Sequence, residues 1–331
     1  MYDVIAFGSA TIDNFIDTFD RKHLTKAQKK MRYKHEITYH TGDKILIREM
    51  STAVGGGGTN TALTFSRFGL KTAYCGALGC DENSLVVKNF LKQEGIDFIG
   101  HSVEDKTGYS VILDSIEHDR TILTYKGAND KLDFKELQKE NLKGAQLFYF
   151  SSLIGHSFET QKKLVQFAKK EDIKVAFNPS SYQACWGKEA LKPVLKETNF
   201  LIMNKEEAQD LTKTENPHHK ELLVLLRQCL PKESVAIITD GPKGAFAYDG
   251  DEFLHIVPNN IQVVESTGAG DAFASGFISA LIHGKELNDA LRLGMANSQS
   301  VIMHQGAKGG VISLEDAEKL VQKAKYKITN L

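Results

Sequence analysis

Apolar residues along the chain fall into two patterns that take turns. Short runs bounded by turn residues recur at Val4–Phe7, Gln146–Ser151, Lys174–Phe177, Phe200–Met203 and Val235–Thr239. Their apolar character is continuous rather than alternating, which predicts strands buried on both faces. Between them, Ser157–Lys170, Lys188–Glu197, Lys205–Leu211 and Lys220–Leu230 carry apolar residues at helical spacing. Strand following helix following strand predicts an α/β fold around a mainly parallel sheet.

Two regions interrupt this rhythm. Residues 13–50 are polar and rich in lysine, with a strand-like stretch at Lys44–Arg48. Residues 107–126 hold two β-rich runs, Tyr109–Leu113 and Thr121–Tyr125, around the turn-like DSIEHD, which predicts a hairpin. A second hairpin is expected at 245–256, turning at Asp249-Gly250. With no repeat, low-complexity tract or linker in view, the expectation is a single domain over 1–331. A small β-rich lid would come from insertions at about 13–50 and 102–127.

Composition narrows the function classes. The chain has 331 residues, 41% hydrophobic and 25% charged, with a formal net charge of -1. Near-neutral charge gives no field to recruit nucleic acid or an anionic membrane. Cys75, Cys80, Cys185 and Cys229 form no CxxC pair, so reduced thiols and a cytoplasmic setting are expected. The opening MYDVIAFGSATID lacks a basic leader, and no apolar run approaches the roughly 18 residues of a membrane span.

The chemistry concentrates at glycine-rich turns. In ESTGAGDAFASGF, 265–277, the small residues Gly268, Ala269 and Gly270 precede Asp271, and a helical pattern begins at once. The start of a helix carries unpaired N–H groups and partial positive charge, and bare glycines let an anion reach them. A carboxylate beside a bound phosphate would be repelled unless it has a task, such as taking a proton from an attacking hydroxyl. The local alternative is an ordinary acid in the first helical turn, with Thr267 or Ser266 as cap.

A second turn, AVGGGGTNTALTFSRFG at 53–69, sets four glycines and Asn60 before a helix-like run, Ala62–Phe68. Neither turn completes Gly-x-Gly-x-x-Gly, and the chain has no Gly-x-x-x-x-Gly-Lys-Ser/Thr, so dinucleotide fingerprints and P-loops are excluded. NKEE, 204–207, follows a strand and reads either as a capping box or as a place where Glu207 holds Mg²⁺ through water. TDGPKGAFAY, 239–248, is a tight turn at another strand end. His218-His219 lies in a polar loop with no partner ligand evident, so no metal is expected there. Arg120 and Lys126 read as solvated charges, and Cys75 as packing.

Taken together and in order from Gly8 to Gly306, these pieces resemble the ribokinase-like (PfkB) family of carbohydrate and nucleoside kinases. TGAGD with Phe273 and Gly276, the glycine run ending in Asn60, the Asn-x-x-Glu of Asn204 and Glu207, and TILTYKGAND at 121–130 carry the likeness. The resemblance implies a three-layer α/β sandwich with a β-rich lid, and transfer of the ATP γ-phosphoryl group to a hydroxyl of a sugar or sugar derivative. It implies Asp271 as base, with the amides of Gly268, Ala269 and Gly270 as anion hole. Asp13, Gly56, Gly57, Asn60 and Asn178 would line the acceptor pocket. Asn204, Thr239, Gly241, Gly244 and Asn297 would meet nucleotide, Glu207 would serve Mg²⁺, and paired lids would make a homodimer.

Three departures matter. Glu265-Ser266 stands where the family commonly has Asp-Thr, and Gly310 stands where ribokinase has a serine; both speak against a monovalent-cation site. Gly57 replaces a lysine of the ribokinase loop, which speaks against assigning ribose. Two other readings stay open: a nucleoside kinase, with Phe15, Tyr33 and Tyr109 as candidate base-stacking rings, and a catalytically silent nucleotide-binding regulator.

Overall fold

The computed structural model describes residues 1–18, 24–25, 36–37, 41–42, 44–114 and 120–330. Ten strands form one sheet. In spatial order they are β18 (Ile328–Asn330), β17 (Phe253–Ile256), β16 (Ala245–Tyr248), β15 (Val235–Thr239), β14 (Phe200–Asn204), β13 (Lys174–Phe177), β12 (Leu147–Phe150), β1 (Val4–Phe7), β6 (Thr72–Cys75) and β8 (Asp97–Phe98). From β15 through β8 every neighbouring pair is parallel, whereas β16, β17 and β18 close one edge as antiparallel strands. A second sheet has the order β11 (Arg120–Tyr125), β10 (Gly108–Asp114), β2 (Thr11–Thr18) and β5 (Ile47–Gly55). Two short pairs remain: β3 (Leu24–Thr25) with β4 (Glu36–Ile37), and β7 (Ala77–Gly79) with β9 (His101–Val103).

The helices are α1 (Gly57–Arg67), α2 (Glu82–Gln93), α3 (His156–Lys170), α4 (Ser181–Ala184), α5 (Lys188–Leu195), α6 (Lys205–Thr212), α7 (His219–Arg227), α8 (Ala269–Ile282), α9 (Leu287–Ile302) and α10 (Leu314–Ala324). Successive strand residues point to opposite faces, and the two cores follow that alternation. Val4 and Ala6 of β1 join Phe65 of α1, Leu91 of α2, Phe277 of α8 and Leu291 of α9. Ile5 and Phe7 join Leu164 of α3, Leu191 of α5, Leu211 of α6 and Leu222 of α7. Helices therefore cover both faces of the sheet, which is why its strands read as unbroken apolar runs.

Most predicted elements hold to within a few residues, and the differences have causes. The strand expected at Lys44–Arg48 instead runs Ile47–Gly55, because pairing with β2 carries it up to the glycine run. The helix expected from Ala62 starts at Gly57, taking in two glycines that leave room for β1. Residues 13–18, read as the start of a polar insertion, belong to β2 (Thr11–Thr18), an inner strand of the second sheet. The hairpin of 109–125 pairs as expected, Tyr109 opposite Tyr125, while 115–119 lie outside the described residues. The 245–256 hairpin turns at Gly250 with φ +114°. Among the described residues no helix is long and apolar enough to cross a membrane.

Candidate active site

The site lies beyond the carboxyl ends of β1 and β12, where open parallel sheets leave a crevice. Glycines let its walls meet. A Cβ on Gly8 would lie 1.8 Å from Ser151 Oγ and 2.8 Å from the Gly58 nitrogen, so α1 begins almost in contact with the end of β1. Gly56 is the residue before α1, at φ +96°, and the Gly58 N–H donates to the Ser9 carbonyl at 3.0 Å.

Asp13 enters from β2. Its carboxylate crosses Gly55 so closely that a Cβ there would sit 1.9 Å from Oδ2, and the Thr11 hydroxyl donates to Oδ1 at 2.7 Å. Asn60 projects from the first turn of α1, and its Nδ2 donates to Asp271 Oδ2 at 2.8 Å. Gly57 borders the other oxygen: a Cβ there would be 3.7 Å from Asp271 Oδ1.

Asp271 belongs to the first turn of α8. Gly268 precedes that helix in the left-handed conformation, φ +76°, and a Cβ on it would lie 2.6 Å from the Ala307 Cβ. The Ala269 N–H, expected to be one of three free amides, instead bonds the Ser266 carbonyl at 3.3 Å, and that of Ala272 bonds the Gly268 carbonyl at 2.8 Å. The N–H groups of Gly270 and Asp271 have no backbone acceptor among the described residues, and nothing stands within 4 Å of where a Gly270 Cβ would be. That is an open helix start with its positive end toward the crevice. Burial raises the Asp271 carboxyl above the usual carboxylate range, against the pull of the Asn60 amide and of Lys308.

Lys308 is the residue that sequence reasoning missed. It lies in the turn after α9, in no recognisable motif. Its Nζ donates to Asn60 Oδ1 and, at 3.1 Å, to Thr59 Oγ1, and it stands 5.4 Å from the centre of the Phe90 ring. Burial pushes the ammonium down to about 7, opposed by Asp13 and Asp271. Its one sequence signal was position, two residues after Gly306.

The second half of the crevice sits at the ends of β14 and β15, whose register sets Asn204 beside Thr239. Asn204 and Glu207 form a complete capping box: the Glu207 N–H donates to Asn204 Oδ1 at 2.8 Å and the Asn204 N–H to Glu207 Oε2 at 2.9 Å. Burial pushes Glu207 up to about 7, helped by the nearby Asp271. After Thr239, residues 241–243 make a tight turn, closed by the Asp240 N–H on the Gly244 carbonyl at 2.8 Å. Gly244 is required there, because a Cβ would lie 1.9 Å from the Ile256 carbonyl oxygen.

Several expectations change. His219 opens α7 rather than lying in a loop; its Nε2 lies 2.8 Å from Asp240 Oδ2, which Lys243 also meets at 3.3 Å, and its ring stacks on Phe246. Asn297 is fully buried between α1, α8 and the 310–312 segment. Its Nδ2 donates to the Ala272 carbonyl at 2.9 Å and its Oδ1 accepts from the Ile312 N–H at 3.4 Å, so it faces the interior and not the crevice. Asn178 lies at the end of β13, with its backbone N–H on the Phe150 carbonyl. Lys126 is partly buried over the Tyr182 ring at 4.8 Å rather than solvated. Phe15 shares the Asp13 face of the second sheet, whereas Tyr109 lies on the other; Tyr33 and the Arg120 side chain lie outside the described residues. Glu265 joins two loops by accepting from the Gly306 N–H at 2.7 Å.

Among the described residues no set of three or more His, Cys, Asp and Glu side chains gathers to hold a metal. A single carboxylate is nevertheless the donor set magnesium tolerates, since it keeps waters and takes substrate phosphates as its other ligands. Glu207, half-buried in the first turn of α6, just after the end of β14, is one such carboxylate.

Comparison with known proteins agrees with this architecture. Residues 26–313 match the family described as pfkB family carbohydrate kinase. A ribokinase of Haemophilus influenzae is 26% identical over 293 residues, covering 87% of this chain and 94% of that protein. A 5-dehydro-2-deoxygluconokinase of Halalkalibacterium halodurans is 26% identical over 288 residues, covering 82% and 86%. The structure of Arabidopsis thaliana ribokinase complexed with ribose and ATP superimposes with a TM-score of 0.80 at 20% identity, covering 97% of this chain and 99% of that one. The chain belongs to the pfkB family and is a carbohydrate kinase.

Proposed function

We propose that the protein transfers the γ-phosphoryl group of ATP to a hydroxyl of a sugar or sugar derivative, with Asp271 as the base. One observation carries the reading: Asp13, Asn60 and Asp271, from three separate elements, converge on one crevice beside the open start of α8. Asp13, Asn60, Gly56, Gly57 and Asn178 hold the acceptor. Asp271 Oδ1 takes the hydroxyl proton as the oxygen bonds to the γ-phosphorus. The bond from that phosphorus to the β–γ bridging oxygen breaks, and ADP leaves with the bridging oxygen. The amides of Gly268, Ala269 and Gly270 stabilise the charge spread over the transferring group. The turn of Thr239, Gly241 and Gly244, with Asn204, receives the nucleotide. Mg²⁺, when bound, offsets charge on the phosphates, and Glu207 would hold it through water.

The second sheet acts as a lid that keeps water from the transferring group. Its face away from Asp13 exposes Met50, Leu123 and Tyr125, at 62%, 58% and 52%, which supports pairing of two lids in a homodimer. A monomeric mass in solution would remove the dimer.

The test is ADP release from ATP and Mg²⁺ across a panel of sugars, sugar phosphates and nucleosides, with wild type and Asp271→Asn side by side. One acceptor should stimulate the wild type and not the variant. Stimulation by nucleosides alone would move the assignment to a nucleoside kinase, and equal turnover by both proteins would end the role of Asp271.

A further inference from the structure

We infer that Lys308 is a positioning residue for the transfer. Its ammonium fixes the Asn60 amide so that the amide donates to Asp271 and holds that carboxylate ionised, with its second oxygen turned to the acceptor. The inference rests on the reading of Asp271 as the base.

The argument is one of donors and acceptors. A lysine ammonium has three donors and no acceptor. It meets Asn60 Oδ1, so the other end of that amide, Nδ2, must face Asp271, and the bond observed there is 2.8 Å. An amide that donates prefers an ionised carboxylate to a protonated one. Lys308 therefore sets the charge state of a residue through one it touches. Were Asn60 to turn over, its oxygen would face Asp271 and favour the protonated acid, which is useless as a base.

Charge points the same way. Asp13 and Asp271 both face the acceptor, and a phosphate group must come close to them. Two carboxylates and a phosphate in a crevice sheltered from water repel one another strongly. Lys308 is the cation that both carboxylates act upon. Asp271 is faced by other groups as well. Glu207, from α6, adds negative charge that opposes ionisation, and Tyr149, from β12, is a buried neutral hydroxyl with no hydrogen-bond partner among the described residues. Neither can do what a cation does.

The lysine is held for the task. Thr59, fully buried on α1, accepts from Nζ at 3.1 Å, and the Phe90 ring lies against the charge. The turn that carries it is tied down by the Gly306 N–H on Glu265 and by the contact of Ala307 with Gly268.

The experiment has two readouts. In protein carrying ¹³C-labelled aspartate, the Asp271 carboxyl is assigned by its absence in Asp271→Asn and titrated in the free protein. Lys308→Met should raise its midpoint by about one pH unit, and Lys308→Arg should leave it near the wild-type value. In turnover, Lys308→Met should lower kcat about 10²-fold with MgATP affinity unchanged, and Lys308→Arg should recover most of the loss. An unmoved midpoint in a folded Lys308→Met protein overturns the inference, as does a loss that Lys308→Arg fails to recover while Lys308→Gln does. Full turnover by Asp271→Asn would instead sink the base assignment, so the two failures are separable.

Discussion

Asp271 meets Asn60 across 211 positions of sequence, whereas Asn204 meets Glu207 across three. The two halves of the crevice are built by opposite means. The half proposed to hold the acceptor is a set of long-range bonds between helix starts, strand ends and the turn after α9. The half proposed to receive nucleotide is a set of local turns and caps, each nearly complete within its own segment. Long-range bonds fix the direction of each donor and acceptor, which the transfer of a proton demands. Local turns present backbone groups to a ligand that supplies much of its own charge and geometry. Substitutions should therefore act sharply and non-additively in the first half and mildly in the second.

The largest expected effect breaks the comparison if it fails. Asp271→Asn should lower turnover about 10²- to 10⁴-fold while leaving ATP binding intact, measured by steady-state kinetics and calorimetry. A matched pair of glycines comes next. Gly268→Ala forces a Cβ to 2.6 Å from Ala307 at φ +76°. It should cost about 1–3 kcal/mol in a denaturant midpoint. Gly241→Ala, at φ +47° with nothing within 4 Å, meets the backbone strain without the clash and should cost about 1 kcal/mol, less than Gly268→Ala. Equal costs would mean that the halves are equally tight.

A pH profile sharpens the contrast. Asp271 must be ionised, so activity is lost as pH falls through a midpoint above the ordinary carboxylate range. Lys308 must be charged, and it is pushed down to about 7. Charge is then lost as pH rises, and kcat/KM for MgATP should fall about tenfold between pH 6 and 8. The macroscopic values belong to the coupled pair. Lys308→Arg stays charged and should flatten the basic limb. The smallest effect is expected for Thr11→Ala, which frees one oxygen of Asp13. It should raise the acceptor KM severalfold, worth about 1 kcal/mol, with kcat little changed.

The elements that were legible in sequence share one property: their signal is local. Val4–Phe7 or Val235–Thr239 announce a two-sided sheet because both faces of the strand are apolar, and TGAGD announces a helix start because glycine and a first-turn acid are needed there. β2 was not legible, since one face of it carries Asp13 and Phe15 and the other Asn14 and Ile16, and no alternation of polar and apolar residues survives. The role of Asn297 could not be read from its spacing either. Its polar amide gave no hint of full burial, which tertiary contacts make tolerable by satisfying both of its ends.

By itself the sequence determined the layer architecture, the order of the elements and the position of the glycine turns, because hydrophobic period and backbone freedom act over a few residues. Only the tertiary structure decided which charges face each other. Lys308 stands 248 positions from the Asn60 oxygen it bonds. No local pattern can encode that meeting. It follows from the packing of α1 against α8, and from two glycines small enough to let the loops close.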